Sequence, residues 1–153
     1  MNDHHDHERI EILSKQELGR TLTRLASQVL ETVSDSEELL LLGIPTRGVH
    51  LSQVLAKELE TITGKKIACG ILDPTFHRDD FGRVGTRMVQ PTDLPTTVEG
   101  RQVVLVDDVI FTGRTIRAAL EALQAWGRAK RVMLLVMVDR GHRELPIQPD
   151  FWG

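Results

Sequence analysis

The chain has 153 residues, 41% of them hydrophobic and 27% charged, which suits one soluble domain with a sizeable core. Its formal net charge of −3 excludes a strong overall attraction to nucleic acid, so RNA binding would need a local basic patch. The single cysteine, Cys69, excludes an internal disulfide framework, and its apolar setting predicts an unreactive core thiol. The cysteine count also predicts a reducing, cytoplasmic location. The polar N-terminus and the lack of a long apolar stretch predict that the protein is neither secreted nor membrane-inserted, and the histidine-rich residues 1–10 predict a flexible lead.

The first half of the chain alternates helical and strand patterns. Leucines and valines at helical spacing predict a first helix, which a capping box from Ser14 to Glu17 would begin. The continuous apolar run Leu39 to Ile44 predicts a buried strand. After the turn Thr46-Arg47-Gly48, a second amphipathic helix is expected, closed by Gly64, and Ile67 to Leu72 predicts the next strand.

The second half continues the alternation. Strands are predicted at Val103 to Val106 and Val132 to Val138, with a helix over Thr115 to Trp126 between them and Gly127 as its left-handed cap. This order predicts one α/β domain over residues 1–153, with a doubly wound, mostly parallel sheet and helices on both faces. Ligands of such sheets bind beyond the carboxyl ends of the strands. Polar residues cluster at those predicted ends: Thr46, Arg47, Gly48, Asp73, Asp107, Asp108, Asp139 and Arg140.

The stretch Val103 to Thr115, VVLVDDVIFTGRT, is the most informative in the chain. The amides of Thr112 to Thr115 open a helix, whose dipole favours an anion, and Gly113 allows close approach, so we expect a phosphate cradle. Asp107 and Asp108 cannot favour a phosphate and fit ribose hydroxyls and a Mg²⁺ ion of the same ligand. The plain alternative, a strand and helix with surface aspartates, is disfavoured because adjacent carboxylates repel each other.

Two further segments suggest ligand contact. Thr46-Arg47-Gly48 lies between a buried strand and a helix start, which predicts a second anion site able to hold a pyrophosphate. A long loop from Asp73 to Gly100 interrupts the pattern, and loops of this length are usually functional. For residues 82 to 99, a solvated excursion or hairpin is an equal alternative.

The motifs resemble those of known families. Val103 to Thr115 resembles the phosphoribosyl pyrophosphate (PRPP) signature of type I phosphoribosyltransferases. A resemblance to the PyrR family is carried by Val138 to Ile147, VDRGHRELPI, and by Phe76-His-Arg-Asp-Asp80. It extends over nearly the whole chain. That family combines a uracil phosphoribosyltransferase with an RNA-binding regulator of pyrimidine operons. The resemblance implies Mg²⁺ as cofactor, PRPP, uracil and UMP or UTP as ligands, and a homodimer or tetramer.

The resemblance also implies residue roles. Asp107 and Asp108 would bind Mg²⁺ and ribose and, with Arg78, form the catalytic set, while Arg47 and Arg78 would meet the pyrophosphate. Asp139 and Arg140 would contact the base. The other implied substrate contacts are Thr46, Gly48, Val106, Val109, Ile110, Phe111, Thr112, Gly113, Arg114 and Thr115, with Phe151 and Trp152 stacked on the base.

The resemblance implies fewer residues for RNA binding than for substrate binding. Positions that contact leader RNA in the resembled family are matched by Thr23, Arg24, His142 and Arg143. Ser27 and Gln148 stand where that family commonly has histidine and arginine, so weakened or altered RNA binding is expected. Family sequences continue beyond the equivalent of Gly153, so a shortened C-terminal end is expected. A nucleotide-sensing RNA regulator with little or no activity, or another type I base phosphoribosyltransferase, are the alternatives.

Overall fold

The computed structural model describes residues 15–75 and 91–153. Within these residues the chain forms three helices and five strands. In chain order they are α1 Lys15–Thr32, β1 Leu39–Gly43, α2 Arg47–Thr63, β2 Ala68–Ile71, β3 Gln102–Ile110, α3 Arg114–Gln124, β4 Arg131–Asp139 and β5 Phe151–Trp152. None of the three described helices has the length and apolar character of a membrane span.

The five strands form one sheet in the order β2-β1-β3-β4-β5, and every neighbouring pair is parallel. Helix α2 connects β1 to β2, and α3 connects β3 to β4. The predicted doubly wound α/β fold is therefore confirmed. Since all strands run in one direction, their carboxyl ends meet at a single edge of the sheet.

Both faces of the sheet are covered, as continuous apolar strands require. Alternate side chains of β1 separate to the two faces, because successive residues of a strand point in opposite directions. Leu39 and Leu41 belong to the core that α1 and α2 cover. Leu40 and Leu42 belong to the core that α3 covers, which also includes Val98 from the segment before β3.

Several predicted boundaries were wrong. Strand β3 continues four residues past Val106, because β4 is long enough to pair with it up to Ile110 and Asp139. Helix α3 ends at Gln124 and is closed by Ala125 in a right-handed conformation. Gly127 does have a left-handed φ of 137°, but it lies beyond this cap. The two-residue β5 was not predicted.

Other local predictions were confirmed. Gly64 ends α2 with φ 70° and donates its amide to Glu60 O. The described part of the long loop, residues 73–75 and 91–101, forms no α-helix or named strand, and its one β-bridge joins Asp93 to Ile71. Ser14 of the capping box, residues 76–80 with Arg78, and residues 82–90 lie outside the described residues.

Candidate functional site

Two helices, α2 and α3, begin at the carboxyl edge of the sheet. The N-terminus of α2 is held close to β3 by two glycines. A Cβ on Gly48 would lie 2.3 Å from the carbonyl oxygen of Val106, and one on Gly43 would lie 2.6 Å from Gly48 O. Ile44 donates its amide to Val106 O at 2.9 Å, and the peptide bond between Pro45 and Thr46 is cis. The predicted Thr46-Arg47-Gly48 turn is thus the N-terminus of α2, held directly against β3.

The paired aspartates are part of β3 and follow its alternation. Asp107 continues the series of Val103 and Leu105, which face α3, and it is 9% exposed. Asp108 faces the α2 side, where its Oδ2 lies 3.7 Å from Arg47 Nη1. The pair therefore directs one carboxylate toward each of the two helix starts, which keeps the two negative charges apart.

Backbone amides orient both carboxylates. Asp107 Oδ1 accepts a hydrogen bond from the amide of Asp108 at 2.8 Å, and Asp108 Oδ1 accepts one from Val109 at 2.9 Å. The Arg47 side chain is 83% exposed, so its attraction to Asp108 is screened by water and worth little to stability. Arg47 can therefore exchange this contact for an anionic ligand at small cost.

The second helix start forms a small cavity of about 80 Å³. By the same measure one water needs about 10–15 Å³, so the space admits several waters or a small oxyanion. Gly113 has φ 92° as the N-cap of α3, and Thr112 Oγ1 accepts the Arg114 amide at 3.2 Å. The cavity is lined by Asp107, Val109, Ile110, Phe111, Thr112, Gly113, Thr115 and Ile116.

The end of β4 is organised by a guanidinium. Asp139 Oδ1 and Oδ2 accept hydrogen bonds from Arg143 Nη1 and Nη2 at 2.9 and 2.8 Å. Asp139 Oδ1 also accepts the Gly141 amide at 2.9 Å. The Arg143 hydrogen bonds, and then the Gly141 amide, hold the pKa of Asp139 below its ordinary value. Asp139 is therefore an ionised carboxylate already engaged within the protein.

Phe111 joins two of the other predicted residues. Its ring is 46% exposed and lies 5.3 Å from the Arg140 guanidinium carbon, within the range of a cation–π contact. The His142 ring lies 5.9 Å from it at 58°, and His142 has φ 58°. The structure thus brings His142, predicted to contact RNA, against a residue predicted to bind substrate.

The remaining predicted residues belong to α1 and to β5, the strand that contacts it. Phe151 is 4% exposed and part of the core under α1 and α2, whereas Trp152 is 56% exposed. Arg24 Nη1 lies 3.5 Å from Trp152 O, and Thr23 donates to Glu58 Oε1 at 3.0 Å. Phe151 therefore acts as a packing residue in this structure, and its predicted stacking on a base stays a prediction.

The paired aspartates are the candidate ligands of a magnesium ion. In residues 15–75 and 91–153, no group of three or more His, Cys, Asp or Glu could hold a metal ion. Mg²⁺ is usually held by one or two carboxylates together with substrate phosphates. Asp107 and Asp108 supply such a pair beside two anion-binding helix starts, so the residues fit a metal that is shared with a phosphorylated ligand.

The prediction for Cys69 agrees with its surroundings. Burial raises the pKa of the Cys69 thiol, which outweighs the lowering effect of its hydrogen bond with Ser52. The thiolate is the reactive form, so this cysteine is a poor nucleophile at neutral pH.

Sequence reasoning missed the residues that support residues 111–115, which run from the end of β3 through the first residues of α3 and are called the β3–α3 loop below. Thr112 O accepts hydrogen bonds from the amides of Glu144 and Leu145, and Glu144 Oε1 accepts one from Arg114 Nε at 2.7 Å. The sequence signal that could have identified them is the motif Val138 to Ile147, which carries more charged residues than a loop needs merely to connect two strands.

Comparisons with known proteins agree with this geometry. The family model described as a phosphoribosyl transferase domain matches residues 9–153. A hypoxanthine-guanine phosphoribosyltransferase from Bacillus anthracis superposes with a TM-score of 0.71 at 16% identity, covering 92% of this chain and 80% of that one. A purine phosphoribosyltransferase from Pyrococcus horikoshii gives 0.65 at 19% identity, covering 92% and 84%. These two structures share the fold, and the chain belongs to the phosphoribosyltransferase family.

Relatives of higher sequence identity show to which group of phosphoribosyltransferases the chain belongs. The Bifunctional protein PyrR of Synechocystis is 56% identical over 144 residues, which is 94% of this chain and 81% of the relative. The proteins of that name from Nostoc punctiforme and Leifsonia xyli are 54% and 48% identical, with 81% and 80% of their lengths covered. Within the phosphoribosyltransferase family the chain is a member of the PyrR group, which confirms the resemblance found in its motifs.

Proposed function

We propose that this protein transfers ribose 5-phosphate from PRPP to uracil, giving UMP and pyrophosphate, and that it regulates pyrimidine operons by binding their leader RNA. One observation carries the enzymatic part. The cavity at the start of α3 lies beside Asp107, while Asp108 lies 3.7 Å from Arg47 at the start of α2. Two anion-binding helix starts thus flank a carboxylate pair, which suits a sugar with phosphate groups at both ends.

The 5′-phosphate of PRPP is assigned to the β3–α3 loop. First-turn amides of a helix have no partner within the helix, and the dipole of α3 favours a negative charge there. Thr112 and Thr115 line the cavity and carry hydroxyl groups. Val106 and Arg114 are assigned to the same site, because they adjoin the residues that line it.

The leaving pyrophosphate is assigned to the Thr46-Arg47-Gly48 turn and to Arg78. The anomeric carbon gains positive charge as pyrophosphate leaves, so catalysis consists of charge stabilisation and positioning. Asp107 and Asp108 would hold the ribose hydroxyls and stabilise that charge, and they would also be the ligands of Mg²⁺. When bound, Mg²⁺ would neutralise the charge of the leaving pyrophosphate.

The base is assigned to the end of β4. Arg140 is exposed there, and Asp139 lies opposite Ile110 in the sheet register. Trp152 is the exposed aromatic of the pair predicted to stack on the base. A uracil ring needs a small pocket with matched polar groups, so a purine is expected to be rejected.

The RNA site is assigned to the exposed face of α1 and to His142. An open groove of about 720 Å³ is lined there by Gln16, Gly19, Arg20, Thr23, Arg24, Ser27 and Glu58. Its two arginines supply local positive charge in a chain of net charge −3. Association of two or four copies would bring several such charged faces together. We therefore propose that the protein acts as a dimer or tetramer, and that it does so in the cytoplasm.

The enzymatic proposal is tested by the double variant Asp107→Asn, Asp108→Asn. Removing charges that stabilise a transition state typically lowers turnover about 10²–10³-fold, and we expect at least that for UMP formation. The control, Asp35→Asn with Glu37→Gln, removes two charges from exposed positions before β1, at the opposite edge of the sheet. Full turnover in the double variant would refute the assigned roles.

A further inference from the structure

We propose that Arg143 is a positioning residue that holds the β3–α3 loop in its binding conformation. The inference rests on the proposed function only in taking PRPP as the ligand of that loop. It assigns to Arg143 a different task from contact with RNA, the role that the sequence motif implies.

All five N–H donors of the Arg143 guanidinium have an acceptor within the protein. Nη1 and Nη2 donate to the two carboxylate oxygens of Asp139. The second donor of Nη1 reaches Phe111 O at 2.9 Å, and Nε donates to Ile147 O at 2.6 Å. Nη2 also donates to Gln148 Oε1 at 3.3 Å. A guanidinium has five donors, so the set is complete.

These acceptors come from three separate parts of the chain. Phe111 begins the β3–α3 loop, Asp139 ends β4, and Ile147 and Gln148 precede β5. Fixing them to one rigid planar group fixes their relative positions, because the guanidinium donors have a set geometry. Arg143 thus joins the candidate phosphate site to the end of β4, where the base is assigned.

The residues next to Arg143 support the same loop. The Glu144 and Leu145 amides donate to Thr112 O at 2.9 and 3.2 Å. A Cβ on Gly113 would lie 3.5 Å from Ile147 Cβ and 3.6 Å from Leu145 Cβ, so those side chains cover the outside of the turn. The loop is therefore shaped from outside by the motif, with Arg143 as its central link.

Burial argues against direct RNA contact by this side chain. The Arg143 side chain is 13% exposed, and an RNA phosphate could be bound only by giving up one of the five contacts. Its neighbours Arg140 and His142 are exposed and remain available to a polyanion. The two functions thus fall on adjacent residues of the motif.

The test compares Arg143→Lys with Arg131→Lys. Lysine keeps the charge but has three donors on a flexible stem and cannot reproduce the planar set of contacts. Arg131 is an exposed arginine at the amino end of β4, away from the site, so its variant controls for the substitution itself. Each protein is examined for Mg²⁺-PRPP binding, for kcat and KM, for amide exchange at residues 111–117 and for leader RNA affinity.

We expect Arg143→Lys to weaken PRPP binding about tenfold or more, the effect of losing one charge-assisted hydrogen bond. The KM for PRPP should rise while kcat changes less than about threefold, because the loop binds ground and transition states alike. In Arg143→Lys, amide exchange at 111–117 should quicken, whereas the affinity for leader RNA should equal that of wild type. The control Arg131→Lys should match wild type in every measurement. Unchanged exchange and PRPP affinity with weakened RNA binding would overturn the inference.

The exchange measurement separates this inference from the proposed function. If wild type failed to bind PRPP, the proposed function would fail, yet faster exchange at 111–117 in Arg143→Lys would still support the positioning role. Normal exchange in Arg143→Lys would contradict that role whatever the ligand. A second variant, Gln148→Ala, removes the longest of the five contacts and should show the same changes to a smaller degree.

Discussion

Gly113 is the residue whose backbone most constrains the site. Its φ of 92° is a conformation that side-chain-bearing residues rarely adopt, and it directs the chain from β3 into the first turn of α3. Space around it is adequate, since the nearest atom to an added Cβ would be 3.5 Å away. The glycine is therefore required by the backbone and not by crowding.

Gly113→Ala should lower the free energy of unfolding by about 1–2 kcal/mol, the cost of a left-handed conformation for an L-residue. The same change should weaken PRPP binding, because relaxing φ moves the loop amides. Gly100→Ala is the matched control, with φ 72° and no heavy atom within 4 Å of an added Cβ. Urea unfolding should show a similar loss for both variants, and equal PRPP affinity in both would contradict the assignment of the loop.

Asp139 gives the site a predictable response to acid. Its pKa is lowered in the folded protein, chiefly by the Arg143 hydrogen bonds, so its contribution to stability is fully present above the unfolded pKa, near 3.9. That contribution is lost as pH falls through the lower folded value. The difference in unfolding free energy between wild type and Asp139→Asn should thus be constant from about pH 7 to 5 and shrink below about pH 4. A difference that stayed constant down to about pH 2 would show that the pKa is not lowered.

The positions of site residues could be predicted from the sequence where those residues are neighbours in the chain. Asp107, Asp108 and the Thr112 to Thr115 turn were placed correctly at one edge because strand, turn and helix follow one another in the chain. The Arg143 contacts could not be predicted in the same way. They join residues 111, 139, 147 and 148, and which acceptors a guanidinium reaches depends on packing that no local pattern encodes.

Among the elements, α2 packs directly against the strand that carries the paired aspartates. Gly48 in its first turn lies against Val106, and an added Cβ would also fall 3.2 Å from the Cα of Asp107. Helix α2 can approach β3 this closely only without a side chain at this position. The approach brings Arg47 within reach of Asp108.

Gly48→Ala should destabilise the protein by about 1–3 kcal/mol, the usual cost of overpacking, and should raise the KM for PRPP because α2 must move away from β3. Gly19→Ala is the contrasting control in the interior of α1, where an added Cβ meets nothing within 4 Å. It should stabilise by about 0.5–1 kcal/mol, since alanine favours a helix over glycine. Thermal unfolding distinguishes the two, and a stabilised Gly48→Ala would refute the close approach.

The elements themselves were largely predictable, and their ends were not. Continuous apolar runs identified β1, β2, β3 and β4, because strands covered on both faces must be apolar throughout. The ends of β3 depend on the length of its partner β4, which no residue within β3 indicates. Strand β5 was missed because two residues carry no periodicity.

The whole molecule combines a net negative charge with a local arginine pair on α1. Arg20 and Arg24 line the same open groove, and the salt dependence of RNA binding reports how many such charges meet phosphates. Arg24→Gln should therefore reduce the slope of log affinity against log salt by about 0.7–1. Arg128→Gln, an exposed arginine after α3, should leave the slope unchanged. Equal slopes for the two variants would remove α1 from the RNA interface.

We propose the carboxyl edge of the sheet as a uracil phosphoribosyltransferase site. The most direct measurement is UMP formation from uracil and PRPP with Mg²⁺, with hypoxanthine and orotate as competing bases. The proposal predicts turnover with uracil and little with either competitor, because the pocket must match one pyrimidine. Turnover of hypoxanthine or orotate in preference to uracil, or none with any base despite PRPP binding, would contradict it.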